Sequence, residues 1–111
     1  MPSEKELIGA STSLLILGVL AREPNYGYQI VKRINEQADG LFTWQEGTVY
    51  PVLHKLEKEQ LIRSKWQPGE SGRERKYYYI TQKGRRTLSA DAERFSAFHE
   101  LLLRVMGGKY A

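Results

Sequence analysis

The sequence predicts an α+β fold of three helices, a two-stranded β-hairpin and one long C-terminal helix. Three observations predict it. Apolar residues recur at helical spacing in four segments. Between the third and fourth of these, the chain switches to strand alternation on both sides of a glycine-rich turn. Helix-starting and helix-stopping residues fall at the joints. With 111 residues there is room for one domain and little more. A domain of that size buries a limited share of its surface, which favours oligomerisation.

Each element has its own signal. Ser3-Glu4-Lys5-Glu6 has capping-box spacing, so a first helix starts near Glu4. Leu7, Ala10, Leu14, Leu17 and Val19-Leu20 carry it to about Ala21. Arg22-Glu23-Pro24-Asn25 reads as a turn, with Asn25 suited to cap a second helix from about Tyr26 to Gln37. Ile30, Val31, Ile34 and Ala38 form the inner stripe of that helix, and Gly40 suits its stop. A third helix follows from about Glu46 to Gln60, with Thr43 and Glu46 offering a second capping-box spacing. Ile62 to Trp66 alternates as a strand, Gln67 to Gly72 is turn chemistry, and Arg75 to Ile80 returns. Thr81 then caps a final helix from Gln82 to about Met106, ended by Gly107-Gly108. The division expected is a core domain over 1–81 and a C-terminal helix over 82–111.

Composition narrows the function. The chain has no cysteine, which excludes disulfides, thiolate metal sites and cysteine nucleophiles, and it fits a reducing, cytoplasmic setting. The apolar run Leu14 to Leu20 is far short of the roughly 20 residues that cross a membrane. Pro2 to Glu6 lacks the positive start of a signal peptide. Two histidines and scattered acids build no evident catalytic or metal-binding constellation, so no enzyme, metal or cofactor is expected.

The net charge of +4 is unevenly spread. Residues 54–86 hold ten of the 17 Lys and Arg and only four acids, a surplus of six, which leaves the rest of the chain at −2. A mildly acidic body with one basic segment suggests a polyanion contact.

That segment begins inside the third helix. On a wheel at 100° per residue, Val49, Val52, Leu53 and Leu56 cluster inward within about one third of the circle. The opposite side presents Gly47, Pro51, His54 and Lys58, flanked by Tyr50 and Lys55, with Glu57 and Glu59 at the margins. Small, hydrogen-bonding and cationic residues on one helix face suit a major groove. Thr48, Tyr50 and the helix start suit phosphate contacts. Pro51 lacks an N–H and belongs best within the first turn or so.

On the hairpin, Arg63 and Lys65 share one face, and Ile62 and Trp66 the other. Tyr77 and Tyr79 oppose Tyr78 and Ile80, and this tyrosine triplet reads as sheet packing. Arg73, Arg75 and Lys76 gather at a glycine-bearing tip that can reach a minor groove or run along phosphates. A helix followed by a basic hairpin is the order in which a winged helix-turn-helix meets DNA. The rival reading is a winged helix that uses the same basic surface to bind an acidic protein, without specific DNA binding.

Tyr26-Gly-Tyr-Gln-Ile, Gly47-Thr-Val-Tyr-Pro-Val-Leu-His-Lys-Leu-Glu, Leu61-Ile, Arg75-Lys-Tyr-Tyr-Tyr-Ile-Thr and Lys83-Gly84 resemble, in order and spacing, the PadR-like transcriptional regulators. The resemblance runs from Leu14 into the final helix and is closest to the short subfamily with a single C-terminal helix. It implies a homodimeric repressor of an inverted repeat in double-stranded DNA, often controlling a transporter or detoxification gene. It assigns Tyr50 and the start of the third helix to DNA, and the wing arginines to the flanking backbone. One departure is Trp44-Gln45-Glu46, where many relatives carry a better capping residue.

The final helix carries a continuous stripe of Leu88, Ala92, Phe95, Phe98, His99, Leu102, Val105 and Met106. The domain body cannot cover about 25 helical residues along their whole length, so the far end wants a partner copy, joined by a two-fold axis. In drug-sensing relatives, aromatic side chains of this helix sandwich planar hydrophobic ligands at the dimer centre. The resemblance places Phe95 there, beside Phe98 and His99. The competing reading is that these residues simply close the dimer core.

Overall fold

A computed structural model describes residues 3–107. The chain runs α1 (Glu4–Arg22), β1 (Asn25–Tyr26), α2 (Gly27–Ala38), α3 (Glu46–Lys58), β2 (Ile62–Pro68), β3 (Glu74–Ile80) and α4 (Gln82–Val105). The predicted α+β winged helix-turn-helix with one long C-terminal helix is present. Gly108, the second half of the expected helix stop, and the other residues to 111 lie outside the described range. Gly107 closes α4 with a φ of 85°, a left-handed conformation that suits glycine.

The predicted capping box starts α1: the Ser3 hydroxyl accepts from the Glu6 amide at 3.1 Å, and the Ser3 amide donates to Glu6 Oε1 at 3.2 Å. Its buried stripe is Thr12, Ile16, Leu17 and Leu20, and Leu7 faces outward. These residues meet Ile30 and Ile34 of α2, Val49, Leu53 and Leu56 of α3, and Ile62 and Tyr78 of the sheet in one core. Val52, expected inside, is only half-buried at the edge of that core.

The sheet has three strands in the order β1-β3-β2, all antiparallel. Asn25 therefore does not cap α2. It pairs with Tyr78, while Tyr26 pairs with Tyr77 and occupies the cap position without a side-chain bond. A two-residue strand carries no alternation of its own, so only its long partner reveals it. The register Ile62↔Ile80 to Pro68↔Glu74 shortens the wing tip to residues 69–73. Trp66 shares the face of Ile62, as predicted, but lies past the end of the core and is 64% exposed.

The turn into α3 is fixed from behind. Trp44 is buried, and its indole N–H donates to Thr12 Oγ1 at 3.2 Å. The Asn35 amide brackets the Trp44 backbone, accepting from its N–H at 2.7 Å and donating to its carbonyl at 2.9 Å. Gln45 is the cap residue, and neither it nor Thr43 forms a capping bond. An aromatic anchor thus replaces the side-chain cap that the Thr43–Glu46 spacing suggested.

Candidate nucleic-acid interface

Helix α3 buries Val49, Leu53 and Leu56 and leaves Gly47, Pro51, His54, Lys55 and Lys58 exposed. Thr48 and Tyr50 are half-buried at the flank of that face. Pro51 sits in the second turn, later than the sequence suggested. Having no N–H, it leaves the Gly47 carbonyl on the open face without the usual helical donor. Of the acids at the margins of this face, Glu57 is turned toward the wing. It accepts from the Ser64 hydroxyl and pairs with Lys76 Nζ at 3.8 Å.

Across from α3 stands the wing. Its tip is tied by Gly69 N–H to the Arg73 carbonyl at 2.7 Å and by Gly72 N–H to the Gly69 carbonyl at 3.0 Å. Gly72 takes a φ of 80°. Of Arg73, Arg75 and Lys76, Arg73 at the tip is the one with no ion pair or aromatic partner among the described residues. Arg75 folds back so that its guanidinium lies 4.4 Å from the centre of the Tyr26 ring. Lys76 points to Glu57 and to the Tyr78 ring at 5.6 Å. The expected cluster of three cations at the tip is thus divided, since two of them find partners on neighbouring elements.

Between α3 and the wing lies a trough of about 350 Å³. Tyr50, His54, Arg75 and Lys76, all anticipated, line it together with Tyr26, Gly27, Tyr28, Trp66, Glu74 and Tyr78. Tyr26 and Tyr28 reach it because α2 begins beside α3. The signal for them was present in Tyr26-Gly-Tyr, but nothing local shows that this motif borders the reading helix. Gly47, Thr48, Pro51, Lys55 and Lys58 of α3 lie outside the lining of the trough, as does Arg73 at the wing tip.

The hydroxyl end of the Tyr50 ring packs against Gly27, where an added Cβ would come within 2.5 Å of Tyr50 Cε1. Burial, aided by Glu46, raises the Tyr50 phenol above its ordinary value, and Arg75 opposes the rise. Burial also raises the Tyr78 phenol, with help from Glu57 and Tyr50. Both hydroxyls are therefore neutral donors at pH 7.

Not all of the basic surplus faces outward. Lys83 Nζ donates to the Glu59 carbonyl at 3.0 Å, which closes the end of α3, and Arg85 Nη1 donates to the Ala21 carbonyl at 3.4 Å at the end of α1. Leu88 packs on the core, whereas Ala92, Phe95, Phe98, His99 and Leu102 lie exposed along the projecting half of α4, away from the trough. Among the described residues, no cluster of His, Asp or Glu is placed to hold a metal, and no helix is long and apolar enough to cross a membrane.

Known proteins share this fold. The profile of the Transcriptional regulator PadR-like family matches residues 16–90. A transcriptional regulator from Mycobacterium tuberculosis is 31% identical over 105 residues, covering 95% of this chain and 92% of that protein. Two solved structures superpose with a TM-score of 0.81. One is a transcriptional regulator from Clostridium thermocellum, 28% identical, with 94% of this chain and 97% of the other aligned. The second is a PadR-like transcriptional regulator from Bacillus cereus, 27% identical, with 93% and 98% aligned. This chain belongs to the PadR-like family of transcriptional regulators, which bind DNA and are not enzymes.

Proposed function

We propose that the chain is a ligand-responsive repressor that binds an inverted repeat as a homodimer. The observation that carries the DNA-reading part is the exposed face of Gly47, Pro51, His54, Lys55 and Lys58 on α3, set beside the wing. Gly47, Pro51, His54, Lys55 and Lys58 face the major groove in this reading, Thr48, Tyr50 and Arg75 meet the backbone, and Arg73 follows the phosphates or minor groove beyond. Lys76 contributes least, because Glu57 already engages it.

Support for pairing comes from α4, whose far half leaves Phe98 62% and Val105 76% exposed. A monomer rarely keeps so long an apolar stripe in water. A two-fold dimer through this stripe sets the two α3 helices against successive major grooves, roughly 34–36 Å apart. Phe95, with Phe98 and His99, then lies where a planar hydrophobic effector is held between subunits.

Selection from a random-sequence duplex library, followed by footprinting, tests the proposal. The expected product is a palindrome with half-sites about one helical turn apart, bound with an affinity that falls steeply with salt. Recovery of no preferred duplex overturns the DNA-reading part. A planar dye whose binding is indifferent to Phe95→Ala overturns the effector part.

A further inference from the structure

Gly27 and Tyr26 line the trough, and neither is among the residues assigned to DNA above. Each nevertheless touches a residue assigned to the DNA backbone. Gly27 is the only residue type that leaves space for the Tyr50 ring: a Cβ there would lie 2.5 Å from Cε1, 2.6 Å from the hydroxyl oxygen and 2.7 Å from Cζ. Its φ is not in the left-handed region, and it sits in the first turn of α2, so the backbone itself does not require glycine. The demand comes from the tyrosine. On the other wall, Tyr26 packs edge-on against Tyr77 at 5.5 Å and offers its face to the Arg75 guanidinium at 4.4 Å. A guanidinium held on an aromatic face keeps its N–H edges free for an acceptor in its plane. Consecutive residues of one chain segment thus seat one hydroxyl donor from α3 and one cation from the wing in a single trough.

We propose that Tyr50 and Arg75 act as one clamp on a single backbone phosphate, and that Gly27 and Tyr26 are the positioning residues that bring the two together. The clamp bridges α3 and the wing, so one phosphate fixes the angle between the groove-reading helix and the ribbon. It rests on the reading that α3 and the wing face DNA.

The test uses the full chain and the duplex recovered by selection, with affinity measured by fluorescence anisotropy. Tyr50→Phe removes the hydroxyl and Arg75→Ala the cation. Each is expected to weaken binding roughly tenfold or more, the scale of a hydrogen bond to a charged group. Gly27→Ala is expected to match Tyr50→Phe, because the added methyl turns the ring out, while thermal stability holds or rises as alanine replaces glycine in a helix. In a Tyr50→Ala background the same Gly27→Ala change is expected to cost nothing. Tyr26→Leu is expected to reproduce part of the Arg75→Ala loss and to add little to it.

Replacing the phosphates one at a time by methylphosphonates locates the contact. One position per half-site is expected to abolish the penalty of both Tyr50→Phe and Arg75→Ala. If the two penalties vanish at different phosphates, the single clamp is overturned. A Gly27→Ala penalty that persists without Tyr50 overturns the seating. If the wild-type chain selects no duplex at all, the DNA reading fails, and the clamp fails with it.

Discussion

Arg73 and Lys76 lie three residues apart on one wing, yet only one keeps its charge free for a partner. The difference comes from Glu57, which reaches Lys76 from α3, while among the described residues no acid pairs with the Arg73 guanidinium at the tip. Counterion release converts this into a measurement. A cation that neutralises a phosphate contributes about 0.9 to the slope of log affinity against log salt. Arg73→Ala and Lys58→Ala are each expected to flatten that slope by about this amount. Lys76→Ala should change it less, since Glu57 already engages that cation. Unchanged affinity in both Arg73→Ala and Lys58→Ala would remove the proposed docking. The outward set on α3 was legible from helical spacing, which depends only on neighbours along the chain. The fate of Lys76 was not, because its partner comes from another element and the sequence carries no mark of that meeting.

At the scale of elements, long periodic segments declare themselves and short ones do not. The hairpin was visible because two alternating runs flank a glycine turn, whereas Asn25–Tyr26 pairs through only two residues and read as a helix cap. Trp66 shows the same limit in another form: alternation gave its face correctly, but not where the core beneath that face ends. The start of α4 shows what did transfer from sequence. Thr81 accepts from the Gly84 amide at 3.0 Å as predicted, and its hydroxyl also donates to the Gln60 carbonyl at 2.8 Å, tying α4 to the end of α3. Gly84 is required for a reason of packing, since an added Cβ would run into the Leu61 carbonyl and Ile80 Cγ1. Backbone cannot yield as a side chain does. Gly84→Ala is therefore expected to cost about 2 kcal/mol or more, and Thr81→Ala about 1 kcal/mol. Gly18→Ala, with open space around its Cβ position, should be neutral or stabilising by up to about 1 kcal/mol. Denaturant midpoints at constant slope check all three. A Gly84→Ala variant as stable as Gly18→Ala would refute the close seating of α4.

The molecule as a whole is too long for its mass. Its radius of gyration is 15.8 Å, against about 13 Å for a compact chain of this length, and its extents are 55 × 29 × 20 Å. Helix α4 accounts for the excess: 24 residues span about 36 Å, and only the first turns rest on the body. The remainder carries Phe95, Phe98, Leu101, Leu102 and Val105 into solvent. Burying such a stripe against a second copy contributes roughly 25 cal/mol per Å² of apolar surface, and among the described residues no element is positioned to cover it. Sedimentation of the wild-type chain at micromolar concentration is expected to give twice the 12.8 kDa mass. Phe98→Glu combined with Leu102→Glu should yield a monomer with the same helical circular dichroism, because both side chains already face water in the single chain. Binding to the palindrome should then fall by more than a hundredfold, since the second half-site no longer engages at the high effective concentration set by the first. A single half-site duplex should lose far less. A wild-type monomer under these conditions, or a charged variant that stays dimeric, would leave the exposed stripe of α4 without the partner argued for it.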